Sequence, residues 1–79
     1  MNLTKSFGIF QTFMLSNPKT ENDLNDILTD STLSEENQIF EIVTLLEMCE
    51  SHDGLEIPKA DWEVKELAKF IRSYYLTNI

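Results

Sequence analysis

Apolar residues recur at helical spacing in three stretches of this chain. Leu3, Phe7, Phe10 and Met14 follow one another at steps of four, three and four, which puts them on one face of a helix over Leu3 to Leu15. Phe13 widens that face. Gly8 lies inside it and weakens it by about 1 kcal/mol relative to Ala. Ser16-Asn17-Pro18 ends it, because Pro disfavours helix in the residue before it.

The second stretch runs from Glu35 to about Glu50. Ile39, Ile42, Val43, Leu46 and Cys49 form its stripe, and Glu41 and Glu47 fall away from it toward solvent. Ser34 or Thr32 caps its start, and Glu35 and Glu36 complement the dipole in its first turn. Ser51-His52-Asp53-Gly54 stops it, with Gly54 suited to a left-handed turn. Leu55-Glu56-Ile57-Pro58 reads as a short extended link. The third stretch runs from near Asp61 to about Tyr75, with Val64, Leu67, Ala68, Ile71 and Tyr75 along one face and Phe70 and Tyr74 flanking it. Lys65, Lys69 and Arg72 cover its opposite side.

Residues 16–34 carry no such stripe. Asn, Asp, Thr and Ser dominate there and compete for backbone hydrogen bonds outside helices. The expectation is a long loop between the first and second helices, pinned by Leu24, Ile27, Leu28 and Leu33, with room for a short helical turn over Leu24–Leu28. The fold class expected is all-α: a small three-to-four-helix antiparallel bundle.

Length and charge narrow the reading. With 79 residues, the chain fits one domain spanning 1–79. So short a chain has little interior to spare for a deep, water-excluding active site. Its net charge of −8 comes from 14 acids against 6 bases. That excess argues against nucleic acid and anionic membranes as partners. The acids are also clustered, since residues 20–58 hold 11 acids and neither Lys nor Arg. A one-sign block of this kind steers basic partners toward it. The chain lacks an apolar run long enough for a membrane span and any signal-peptide pattern. Its single Cys49 has no internal disulfide partner. The expected setting is cytoplasmic.

Candidate chemistry is sparse, and no enzyme activity is expected. His52 stands alone, without the partners a metal site needs. Cys49 falls on an apolar stripe, where a buried, inert thiol is the ordinary outcome. A Cys49–His52 pair has suitable spacing but lacks an orienting third group or an oxyanion donor. Asp23, Asn25 and Asp26 do not match a calcium-binding loop.

From Ile39 onward the chain resembles an acyl or peptidyl carrier protein. The run Ile39-Phe40-Glu41-Ile42-Val43-Thr44-Leu45-Leu46-Glu47 is similar to that family's acidic second helix. Leu55-Glu56-Ile57-Pro58 resembles its Ile-Pro link, and Val64-Lys65-Glu66-Leu67-Ala68-Lys69-Phe70-Ile71 its last helix. The first helix, the long loop, the length and the acidity fit as well. The resemblance implies a four-helix carrier fold that meets a biosynthetic enzyme through its second helix. It also implies a phosphopantetheine arm on the Ser of an Asp-Ser-Leu motif. This chain departs from the family there. Aligned on Leu46-Glu47, the three motif positions fall on Glu35, Glu36 and Asn37, and Glu36 cannot carry the arm. Ser34 lies two residues early and Ser31 about five. The stretch after Pro58 is about four residues short, which cuts down the family's short third helix.

Three functions therefore stand side by side. The first is a non-catalytic, carrier-like domain without cofactor, in which Glu35, Glu36, Glu41 and Glu47 meet a basic patch on a partner protein. The second is a working carrier with phosphopantetheine on Ser34, or less favourably on Ser31. The third is a small acidic inhibitor or immunity-type protein.

Overall fold

The computed structural model describes residues 2–77, and among these there are four helices. α1 spans Leu3–Leu15, α2 Pro18–Thr29, α3 Glu35–Asp53 and α4 Asp61–Thr77. No helix among the described residues is long and apolar enough to cross a membrane.

Each start has a local cause. Asn2 caps α1, its side chain accepting from the Lys5 amide at 2.8 Å. Asn17 caps α2 by accepting from the Lys19 amide at 2.9 Å, and Pro18 follows at the first helical position. A Pro there forfeits only an N–H that would have no partner inside the helix anyway. Ser34 caps α3, with Glu35 and Glu36 in the first turn. α3 runs three residues beyond the expected Glu50, to Asp53, before Gly54 closes it in the left-handed region at φ 71°.

The main correction concerns residues 16–34. Most of that stretch is the helix α2 and not a long loop. Leu24 is fully buried, Thr20 is buried at the same spacing, and Ile27 and Leu28 pack partly against the core. This largely polar helix survives because its narrow stripe docks on its neighbours. Tertiary burial outweighs weak local propensity.

Arg72, late in α4, meets Gln38 and Glu35 at the start of α3. Gln38 in turn meets Ile27 at the end of α2. The elements α2, α3 and α4 therefore run antiparallel in succession. α3 lies between α2 and α4, which explains where its stripe sits. Ile42 and Leu46 are fully buried and Ile39 and Cys49 nearly so, while Leu45 joins the core on the side of α2. Val43, expected in the buried stripe, is only half-buried. It faces a groove between α3 and α4 instead of the centre.

α1 buries Ser6, Phe10 and Phe13, and not the whole of the expected face. Phe13 is its deepest residue and Phe10 is buried, whereas Leu3 is 71% exposed. Leu3 lies in the first turn of α1. The flank carrying Phe7 and Phe10 packs on Tyr74 of α4, with ring centroids 5.3 and 5.2 Å away. On α4, Val64, Leu67, Ala68 and Ile71 are buried as expected, and Tyr75 is half-buried.

Candidate functional site

The acidic surface is built by α3. At 100° per residue the helix turns its core stripe inward and leaves Glu36, Phe40, Val43 and Glu47 along one flank. The start of α4 faces that flank with Asp61, Val64 and Lys65. Together with Ile39 these residues line a groove of about 360 Å³. Its floor is apolar, from Ile39, Val43 and Val64. Its rim carries three carboxylates, on Glu36, Glu47 and Asp61, against the single ammonium of Lys65. Phe40 stands at the edge with 67% of its surface exposed. Phe40 is one of several large apolar side chains exposed among the described residues, and it stands beside the apolar furrow.

The four expected partner-binding acids do not act as one row. Glu36 and Glu47 share the groove. Glu35 instead lies 3.5 Å from the Arg72 guanidinium, which offsets part of its charge. Glu41 lies five residues from Glu36, roughly 140° around the helix, and projects from the opposite flank. Lys65, Lys69 and Arg72 were expected together on the solvent side of the last helix. Arg72 instead turns inward to Gln38 and Glu35. The arginine fork can reach across to α3 while its stem covers apolar surface.

Glu36 and Glu47, two of the four acids expected to meet a partner, line the groove, and Asp61, Val64 and Lys65 form a facing wall that the sequence reading does not anticipate. The available signal was Phe40, a large ring off the buried stripe of its own helix.

Ser34 is exposed, and its Oγ accepts the Asn37 amide at 3.2 Å. It terminates the helix backbone as a cap does. Ser31 is exposed in the turn after α2. In that turn the amide and hydroxyl of Thr32 donate to the Asp30 carboxylate. Those bonds hold the Asp30 carboxyl below the usual carboxylate range, the hydroxyl contributing most.

Cys49 belongs to the core at 4% exposure, while His52 is exposed near the end of α3. Both border a shallow furrow with the start of α2. Among the described residues no group of three or more His, Cys, Asp or Glu is placed to hold a metal ion.

The two acid-free ends of the sequence come together in space. Residues 2–20 and 67–77 contain no Asp or Glu but hold Lys5, Lys19, Lys69 and Arg72. Phe7, Phe10 and Tyr74 join the two segments. All 14 carboxylates lie between, on residues 21–66, with only Lys59 and Lys65 to offset them. In the fold these ends are not set apart from the carboxylates, since Arg72 meets Glu35 and Lys5 borders a furrow with Asp53 and Glu56. No family model matches the chain, and neither a curated protein nor a solved structure does.

Proposed function

We propose that this protein is a non-catalytic, carrier-protein-like helical domain that binds a partner protein through α3 and carries no phosphopantetheine arm. The observation that carries this reading is the 67% exposure of Phe40 on a flank that also bears Glu36 and Glu47. An exposed ring among acids is a recognition feature. It adds contact area, and the surrounding charge guides a basic surface onto it.

The carrier resemblance contributes the role of the acidic helix, which corresponds to α3 here. Glu36 stands where the resemblance would require the arm-bearing Ser. Two features depart from that family pattern. A helix, α2, occupies the expected long loop, and no helix intervenes between α3 and α4 among the described residues. Both departures alter the surroundings of α3 relative to that pattern.

The test is site-specific photocrosslinking in the cell of origin. A photoreactive residue replacing Phe40 should yield a discrete protein adduct. The same residue replacing Gln11, exposed on α1, should not. Absence of any adduct at position 40, or equal adducts at both positions, would overturn the reading.

A further inference from the structure

We infer that the groove between α3 and α4 takes a cationic amphipathic helix of the partner, seated by apolar side chains between Ile39, Val43 and Val64. This rests on the partner-binding reading above and specifies the chemistry of the occupant.

Three features of the groove select that chemistry. Its floor follows one row of α3, since Ile39 and Val43 are four residues apart and both line it. Such a row accepts apolar residues spaced by one helical turn on a facing helix. Its carboxylates are spread along its length. Glu36 and Glu47 are eleven residues apart, about 16 Å along α3 at 1.5 Å per residue. Asp61 begins α4, which runs antiparallel to α3, so it joins Glu47 at one end. Cations on an occupant must therefore flank an apolar centre over about three turns, with more of them at the Glu47–Asp61 end. An amphipathic helix meets both demands, whereas a flexible polycation supplies charge without the apolar centre.

The third feature is the sign of the rim, three carboxylates against Lys65. An acidic or neutral helix of the same shape would place its polar groups against uncompensated carboxylates, and like charges across an interface are disfavoured. Lys65 is the exception on the rim and opposes the proposed occupant. That gives the inference a variant whose effect has the opposite sign.

The probe is a synthetic amphipathic peptide of about five helical turns, with Lys and Arg on one face and Leu and Phe on the other. A scrambled peptide of the same composition and a Glu-for-Lys peptide accompany it. Binding to the full chain is read from the methyl resonances of Ile39, Val43 and Val64 and from the dissociation constant. The cationic amphipathic peptide should shift those methyls. Phe40→Ser should weaken it about tenfold, the effect of losing one moderate interface anchor. Because Phe40 is exposed, the melting temperature of that variant should hold. Lys65→Glu should tighten binding.

Equal binding by the scrambled peptide would overturn this inference and leave the acidic-surface reading standing. Binding of the Glu-for-Lys peptide as tightly as the cationic one would overturn the occupant's charge, as would weaker binding in Lys65→Glu. A peptide that bound but shifted methyls outside the groove would overturn the site. If no cationic peptide bound, the inference would fall. The photocrosslinking at position 40 would then decide the broader reading separately.

Discussion

Arg72 donates from Nε to the side-chain oxygen of Gln38 at 2.8 Å, and the Gln38 amide nitrogen donates onward to the Ile27 carbonyl oxygen at 3.4 Å. One buried side chain thereby links the end of α2, the start of α3 and the end of α4. Gln38 is 8% exposed, and burying an amide is tolerable only when its polar atoms are bonded. The contact also fixes α4 in register against α3, and so sets the walls of the groove.

Gln38→Ala should cost about 1–3 kcal/mol, because it removes bonds from groups with limited access to water. Arg72→Ala should cost less than a fully buried partner would, since the Arg72 side chain is 24% exposed and water can replace part of its bonding. The informative quantity is the coupling between the two. In a double-mutant cycle by urea denaturation, residues that share a bond should couple by at least about 0.5 kcal/mol. Strict additivity would mean that the bond adds nothing to the fold. The Arg72–Glu35 pair should add little, because Glu35 is 71% exposed and exposed pairs are worth about 0–1 kcal/mol.

The sequence carried α1 to the residue and the ends of α3 and α4 to within two or three residues, because each has an apolar face repeating at 3.6. It concealed α2 because the competing signal was strong. Asn17, Asn22, Asp23, Asn25 and Asp26 all favour turns over helix interiors. The counter-signal was present in Asn17-Pro18, a cap followed by Pro at the first helical position, and in the spacing of Thr20, Leu24 and Ile27. Pro18 both ends α1 and begins α2. The acids along α3 were legible singly, but which of them share a groove was not. That depends on α4 lying on one side of α3 and α2 on the other, a relationship no local spacing contains. The inward turn of Arg72 is hidden from local spacing for the same reason, since its partners lie more than thirty residues away.

Two neighbours on α3 test how that helix is seated. Ile42 is fully buried and Val43 is half-buried at the groove. Ile42→Ala should destabilise by about 2–5 kcal/mol through lost burial and the cavity left behind. Val43→Ala should cost roughly 1 kcal/mol, since part of its surface already meets water. Chemical denaturation of the two variants measures the difference directly. Equal costs would show that α3 is rotated from the orientation described.

The two glycines should respond to the same substitution with opposite signs. Gly8 lies in the middle of α1 with open space around the position a Cβ would take. Its φ is not positive. Gly8→Ala should therefore stabilise by about 0.4–1 kcal/mol, mainly by reducing the freedom of the unfolded chain. Gly54 also has open space, but its φ of 71° places it in the left-handed region. There it ends α3, with its amide donating to the Cys49 carbonyl. Gly54→Ala should cost about 1–2 kcal/mol from backbone strain alone. Thermal unfolding of the pair separates a conformational cause from a steric one, because neither site is crowded. A stabilised Gly54→Ala would contradict the assigned cap.

Ser34 and Glu36 decide whether α3 begins as a cap or as an attachment site. Ser34 accepts the Asn37 amide at 3.2 Å, and Glu36 is exposed in the first turn with its side chain at the groove. Ser34→Ala should weaken the fold by about 0.5–2 kcal/mol through loss of the cap. Glu36→Ser should change stability by only about 0.3–1 kcal/mol, the scale of one carboxylate near a helix N-terminus. The covalent half of the prediction is read by intact mass after co-expression with a broad-specificity phosphopantetheinyl transferase. The unaltered chain should keep its sequence mass, and Ser34→Ala should differ from it by one oxygen only. Glu36→Ser should acquire a partial phosphopantetheine addition, since it restores a hydroxyl in the register set by Leu46-Glu47, with Glu35 standing in for the usual Asp. An arm on Ser34 of the unaltered chain would make the protein a working carrier. The cap would then be the place where its cargo is attached, and the groove beside Glu36 would lie next to that arm.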